Sequence, residues 1–240
     1  MSTINNDTFK FMADLYDNNN KEWFNLNRKR YEVHVREAMK NMANSIAGPV
    51  STVVKEFSGK PKISRINNDI RFSPNKPLYK EHVWISFGEK DHIAGLFAAI
   101  GKNGWATGCG IGAPKREMLD NWRKNLVTHI DTWRKYAKAI DLENNIDIYT
   151  ENLYKKPLFP DIPDDVNDMV QARGTWIVDK PKLKFKNSPE EDYFNGICRM
   201  LPIYLFMAST PADLLKRIAE LGDNIAAPNE HVEKYWNVLK

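Results

Sequence analysis

The sequence predicts an α+β fold: N-terminal helices, an antiparallel sheet of about four strands packed by a long amphipathic helix, and a helical C-terminus. Three observations lead there. Apolar residues recur at helical spacing from Thr8 to about Ala47, and again after Pro114. Between Lys62 and Ile111 the period shifts to alternation and short apolar runs. The connections within that stretch are short, which favours antiparallel neighbours. At 240 residues, with no repeat or dividing linker, the chain reads as a single domain spanning 1–240.

Each element has its own signal. Thr8 to Tyr16 places Phe9, Met12, Leu15 and Tyr16 on one stripe, with Asp7 as the expected N-cap. The amides Asn18, Asn19 and Asn20 interrupt it, because short amides compete for backbone hydrogen bonds. A longer helix is expected from about Lys21 to Ala47, closed by Gly48-Pro49, and another from near Val50 to before Gly59. Lys62 to Ser73 reads as a strand with Ile66, Ile70 and Phe72 on one face and Arg65, Asn67, Asp69 and Arg71 on the other. The turn Ser73–Pro77 leads to strands at Tyr79–Phe87, Ile93–Ile100 and Trp105–Ile111. Pro114 then opens the long amphipathic helix, which carries Met118, Leu119, Trp122, Leu126, Ile130, Trp133, Ala137 and Ile140 at helical spacing. Tyr154 to Pro163 reads as loop and Gly174–Val178 as a short strand. Tyr193–Ala208 and Pro211–Leu221 read as terminal helices, with Thr210 as a cap.

Composition narrows the class. Hydrophobic residues at 42% and charged residues at 28% exclude a fibrous or wholly disordered chain. No apolar run approaches the roughly 20 residues of a membrane span, so no membrane partner is expected. Cys109 and Cys198 form no CxxC or zinc pattern and read as two free thiols, which points to a cytoplasmic protein. The net charge of +4 is too small to imply nucleic acid unaided. Charge is nonetheless uneven. Residues 55–80 hold seven basic against two acidic residues, and residues 141–168 hold eight acidic against two basic.

The usual catalytic motifs are missing: no GxxxxGKS/T loop, no HExxH and no GxSxG. The five histidines lack ligand spacing, and neither a metal nor a cofactor is expected. Gly108-Cys109-Gly110-Ile111-Gly112 reads as a tight turn needing small residues, or as an anion cradle before a helix. Ile63 to Lys80 is the distinctive segment. Arg65, Asp69 and Arg71 share a strand face there, and Lys76, Tyr79 and Lys80 return from the turn toward it. Cations with one carboxylate and a phenol suit a phosphate, carboxylate or sulfate, while cross-strand ion pairs on a solvated sheet would use the same residues.

Three ordered segments resemble the domain of unknown function 2461 family. Asn18-Asn19 with Trp23-Phe24, Arg28 and Tyr31 is similar to its N-terminal signature. Arg65, Asp69, Arg71, Phe72, Ser73, Lys76, Tyr79 and Lys80 match a second. Gly108, Gly110, Pro114, Leu119 and Arg123 match a third. Asn68 stands where the second signature has Arg, Asn75 where it has Asp, and Pro77-Leu78 replaces a shorter stretch. The resemblance implies ligand binding at the second segment rather than packing.

The leading reading is therefore a small anionic ligand, phosphorylated or carboxylated, held by Arg65, Arg71, Lys76 and Lys80. If the protein is an enzyme, Asp69 or Tyr79 handles the proton. A second reading is a nucleic-acid module in which Trp84, Phe87 or Trp105 stacks on bases. A third is a non-catalytic interaction domain that docks a partner on residues 141–168.

Overall fold

In the computed structural model of the chain, the structure describes residues 3–53, 57, 60–71, 75–87, 94–112, 116–223, 236 and 239. Phe72, Ser73, Ile93 and Pro114, singled out above, lie outside the described residues. The first helix, α1 (Asn6–Asp17), is capped by Asn5 rather than Asp7. The Asn5 side chain accepts from the Asp7 and Thr8 amides, and Thr8 Oγ1 accepts from the Asn5 amide. Asn20 caps α2 (Lys21–Leu26) by accepting from the Trp23 amide. After a break at Asn27 come α3 (Arg28–Tyr31), a π-helical turn over Glu32–Glu37, and α4 (Ala38–Val53).

Helix α4 runs through Gly48-Pro49 instead of stopping there. An interior proline costs about 3 kcal/mol or more. Burial of Ile46, Val50 and Val53 along one stripe outweighs it, and α4 packs on a later helix along that stripe. Val50–Val53, expected to open a separate helix, are the end of α4.

Among the described residues six strands form one antiparallel sheet in the order β1-β2-β3-β4-β6-β5, against about four expected. They are β1 (Lys62–Ile63), β2 (His82–Phe87), β3 (Ala94–Gly101), β4 (Gly104–Ile111), β5 (Ile146–Glu151) and β6 (Gly174–Asp179). The meander β1–β4 follows the expected order, with Ile85 opposite Ala98 and Ala98 opposite Thr107. The unforeseen strand is β5. It is an outer strand that buries Ile146 but leaves Ile148 and Tyr149 exposed, so it carries little apolar signal of a buried face.

The helical stretch after Pro114 is two helices, α5 (Arg116–Thr128) and α6 (Ile130–Ala139), broken at His129. Short helices α7 (Leu142–Asn145) and α8 (Asn167–Gln171) flank the acidic region. The helix laid on β3 and β4 is α9 (Pro189–Ala208), and α4 and α5 pack on α9 in turn. Helix α9 is apolar nearly all round, as its position demands. Its start combines Ser188, which accepts from the Glu191 amide, with Pro189 and three acidic residues in the first turn. Helix α10 (Leu214–Asp223) follows, and Thr210 accepts the Asp213 and Leu214 amides through its carbonyl.

Cys109 and Cys198 are free and buried, and burial pushes both thiols well above their ordinary range. Among the described residues no helix is long and apolar enough to cross a membrane.

The segment after β1 departs most from expectation. Strand geometry ends at Ile63, and a single bridge, Asn67 opposite Tyr79, continues the pairing. Ile66 is buried at 4% exposure, but Ile70 is 39% exposed and does not share its face. Ile66→Ala should therefore cost about 2–5 kcal/mol, whereas Ile70→Ala should cost under about 1 kcal/mol. Urea denaturation of the two variants decides this, and equal losses would reject the placement.

Candidate functional site

The hairpin from Lys62 to Lys80 is closed by backbone bonds at intervals. The Lys80 amide donates to the Ile66 carbonyl at 2.7 Å and the Asn68 amide to the Leu78 carbonyl at 2.9 Å. The Asn68 side chain donates to the Pro77 carbonyl at 2.8 Å. The residue that replaces an arginine of the resembled signature thus stitches the hairpin, using the Pro77-Leu78 stretch that also departs from it.

The N-terminal helices grip this hairpin from the other side. Asn19 makes two bonds to the backbone of Tyr79: its Nδ2 donates to the carbonyl at 3.0 Å and its Oδ1 accepts the amide at 2.9 Å. Phe24 stacks on the Tyr79 ring with centroids 4.2 Å apart and planes 15° from parallel. Phe24 also meets Tyr31 at 5.3 Å, and the Arg28 guanidinium lies 5.4 Å from its centroid. Burial, then the Glu32 charge, raises the Tyr31 phenol above its ordinary range.

On the hairpin itself the predicted residues fall into two groups. Asp69 and Arg71 form a forked pair, with Nε donating to Oδ1 at 2.9 Å and Nη2 to Oδ2 at 2.6 Å. The Arg71 amide donates to the same Oδ1 at 3.2 Å. These bonds hold the Asp69 carboxyl below its usual range, with a further contribution from the Lys76 charge. Both carboxylate oxygens are engaged, so Asp69 is an ionised, oriented acceptor.

Arg65 and Lys80 form the second group. Lys80 lies over the Trp84 ring at 4.5 Å. Its ammonium is pushed below the ordinary lysine range by burial first and by the Arg65 charge second. Among the described residues neither Arg65, Lys76 nor Lys80 has a carboxylate within ion-pair distance. Tyr79 is apart from these cations in character: it is 5% exposed, walled by Phe24 and held through its backbone.

The rival arrangements receive less from the geometry. Phe87 and Trp105 are buried, and Trp84 is half-buried beneath Lys80, so a row of exposed stacking rings is not formed by these three. Within residues 141–168, Asp165 is committed to a forked pair with Arg134 at 2.9 Å, and Asp141 accepts from the Asn144 and Asn145 side chains.

Gly108 and Gly110 are kept small by packing. A Cβ on Gly108 would sit 2.4 Å from the Phe97 ring, and one on Gly110 would sit 2.3 Å from the Trp176 ring. Arg123 is buried and donates to the Val170 and Ala172 carbonyls at 3.0 and 2.6 Å, fastening the chain between α8 and β6.

Asn19 is the site residue that residue types alone missed. The amide run reads locally as a helix break, and its partner lies 60 residues away. The only signal for it is the pairing of two signatures in one family.

A family model described as conserved hypothetical protein (DUF2461) matches residues 7–190 of the chain. No curated protein matches it, and no solved structure does.

Proposed function

The chain belongs to the conserved hypothetical protein family DUF2461, and from that premise we propose that it binds a small phosphorylated or carboxylated anion on the Lys62–Lys80 hairpin. The supporting observation is a pair of cations without a counter-charge: the Lys80 ammonium is lowered by burial first and by the Arg65 charge second, and among the described residues neither has a carboxylate within ion-pair distance. Adjacent cations repel unless an anion intervenes, so the arrangement favours a ligand that supplies the missing charge.

Further along the same hairpin, Arg71 is a guanidinium fixed in direction by Asp69, and the Lys76 charge acts on that carboxylate; in this reading the two add cations to the ligand's surroundings. In this reading Asp69 orients Arg71, and Tyr79 is the inner wall against which the hairpin is seated. Neither needs to move a proton. The Asn19 clamp and the Phe24 stack set the hairpin's position relative to the rest of the fold.

Calorimetric titration with inorganic phosphate tests the reading. The parent should bind, and Arg65→Ala and Lys80→Ala should each weaken binding about tenfold, since charge-assisted hydrogen bonds contribute roughly 1.5–3 kcal/mol. Both side chains lie outside the apolar core, so thermal midpoints should stay close to the parent's. Unchanged affinity in both variants would reject the hairpin as the site.

A further inference from the structure

A cationic cavity lies at the start of β4, lined by the segment that joins β6 to α9 and separated from the hairpin by β2 and β3. We infer that it is a separate binding site for an organic anion carrying a flat ring, an aryl or nucleobase phosphate in chemical class, held by Lys182 and Lys186 with Phe185 and Trp105 as the apolar wall. The cavity has a volume of about 670 Å³, enough for such a molecule.

Its walls are fixed by backbone pairing. The Trp105 amide donates to the Lys182 carbonyl at 2.9 Å, the Lys182 amide donates back at 3.0 Å, and Trp105 Nε1 donates to the Lys184 carbonyl at 3.2 Å. Gly104, with φ +114°, permits this approach, because a Cβ there would lie 2.0 Å from the Lys182 carbonyl oxygen. Phe185 stacks on Trp105 with centroids 5.1 Å apart and planes 14° from parallel.

The charges in the cavity do not cancel locally. Asp192 accepts the Lys186 amide at 2.6 Å and the Asn187 side chain at 2.9 Å, so it serves the chain turn into α9. Asp179, which does not line the cavity, accepts from Thr107 and from Arg199. Lys182 is half-buried with its ammonium 5.1 Å from the Trp105 centroid, and among the described residues it has no ion-pair partner. Burial lowers that ammonium most, the Asp179 charge opposes the shift, Arg199 and Lys186 lower it further, and Asp192 opposes it least. A half-buried lysine beside two other cations, on an aromatic wall, matches an anion that also carries a ring.

The test uses phenyl phosphate and inorganic phosphate, titrated into the full chain by calorimetry. Phenyl phosphate should bind at least tenfold more tightly than inorganic phosphate. Lys182→Met, which keeps the stem over Trp105, should remove that preference. Lys186→Ala, at an exposed position, should weaken phenyl phosphate at least threefold and remains informative if the first variant does not fold. The double variant Arg65→Ala/Lys80→Ala should keep the preference, so failure at the hairpin and failure here are distinguishable. The inference is overturned if the parent does not prefer phenyl phosphate, or if Lys182→Met, or in its place Lys186→Ala, binds it as the parent does.

Discussion

Replacing Asp179 with alanine should lower folding stability by about 3–5 kcal/mol, the usual consequence of breaking a buried ion pair by removing one partner. Asp179 closes β6 at 1% exposure, and the Arg199 side chain that pairs with it is 12% exposed. Thr107 on β4 donates to the second carboxylate oxygen at 2.5 Å, so one side chain ties two strands to α9. Truncation leaves a guanidinium with little water and a hydroxyl without its acceptor. The exposed pair Asp69–Arg71 is the comparison: Asp69→Ala should leave the denaturation midpoint almost where it was, because solvent screens that pair. Urea denaturation measures both, and similar small shifts would mean that Asp179 is not the buried junction described.

Trp122→Ala should cost about 3–5 kcal/mol, the range for an aromatic side chain removed from a core. Its ring is fully buried between α5, α6 and α9, edge-on to Trp133 at 5.5 Å and to Phe206 at 6.5 Å. Among the described residues the indole N–H finds no hydrogen-bond partner, so the loss is one of packing and cavity formation. Trp176 offers the contrast: it is half-buried, lying across Gly110 on the sheet, and Trp176→Ala should cost clearly less. Equal losses in denaturant titration would contradict the assignment of the α5 stripe to the core.

Those residues show what the sequence makes legible. Helical spacing identified Leu119, Trp122, Leu126 and Trp133 because one period governs one buried stripe, and each of them is buried. The meander β2–β4 was legible for the same reason, since short apolar runs between turns admit few other pairings. Failures occurred where a distant part of the chain decides a local outcome. Pro49 signals a helix end, but burial on α9 carries α4 past it. Ile70 alternates with Ile66 in sequence, yet the backbone leaves strand geometry after Ile63 and the alternation stops having meaning. Strand β5 hides among acidic residues because an outer strand buries little of what it carries.

The candidate site was legible in part. Its cations and its single carboxylate stand on the hairpin as the residue types suggest, but the forked Asp69–Arg71 pair sets those two apart from Arg65 and Lys80. The Asn19–Tyr79 clamp was beyond reach, because nothing in an asparagine run names a partner 60 residues on. Gly108 and Gly110 were open to two readings, and only the rings of Phe97 and Trp176 reveal why side chains are excluded there.

The central claim is that the two signatures, Asn18–Tyr31 and Arg65–Lys80, form one anion-binding unit. Backbone amide chemical shifts of the isotope-labelled protein, followed as inorganic phosphate is added, test it most directly. The account predicts saturating shifts at Arg65, Lys76 and Lys80, with Asn19 and Tyr79 moving at the same phosphate concentration because the clamp joins them. Shifts that leave the hairpin unmoved, or hairpin shifts that leave Asn19 unaffected, would contradict it.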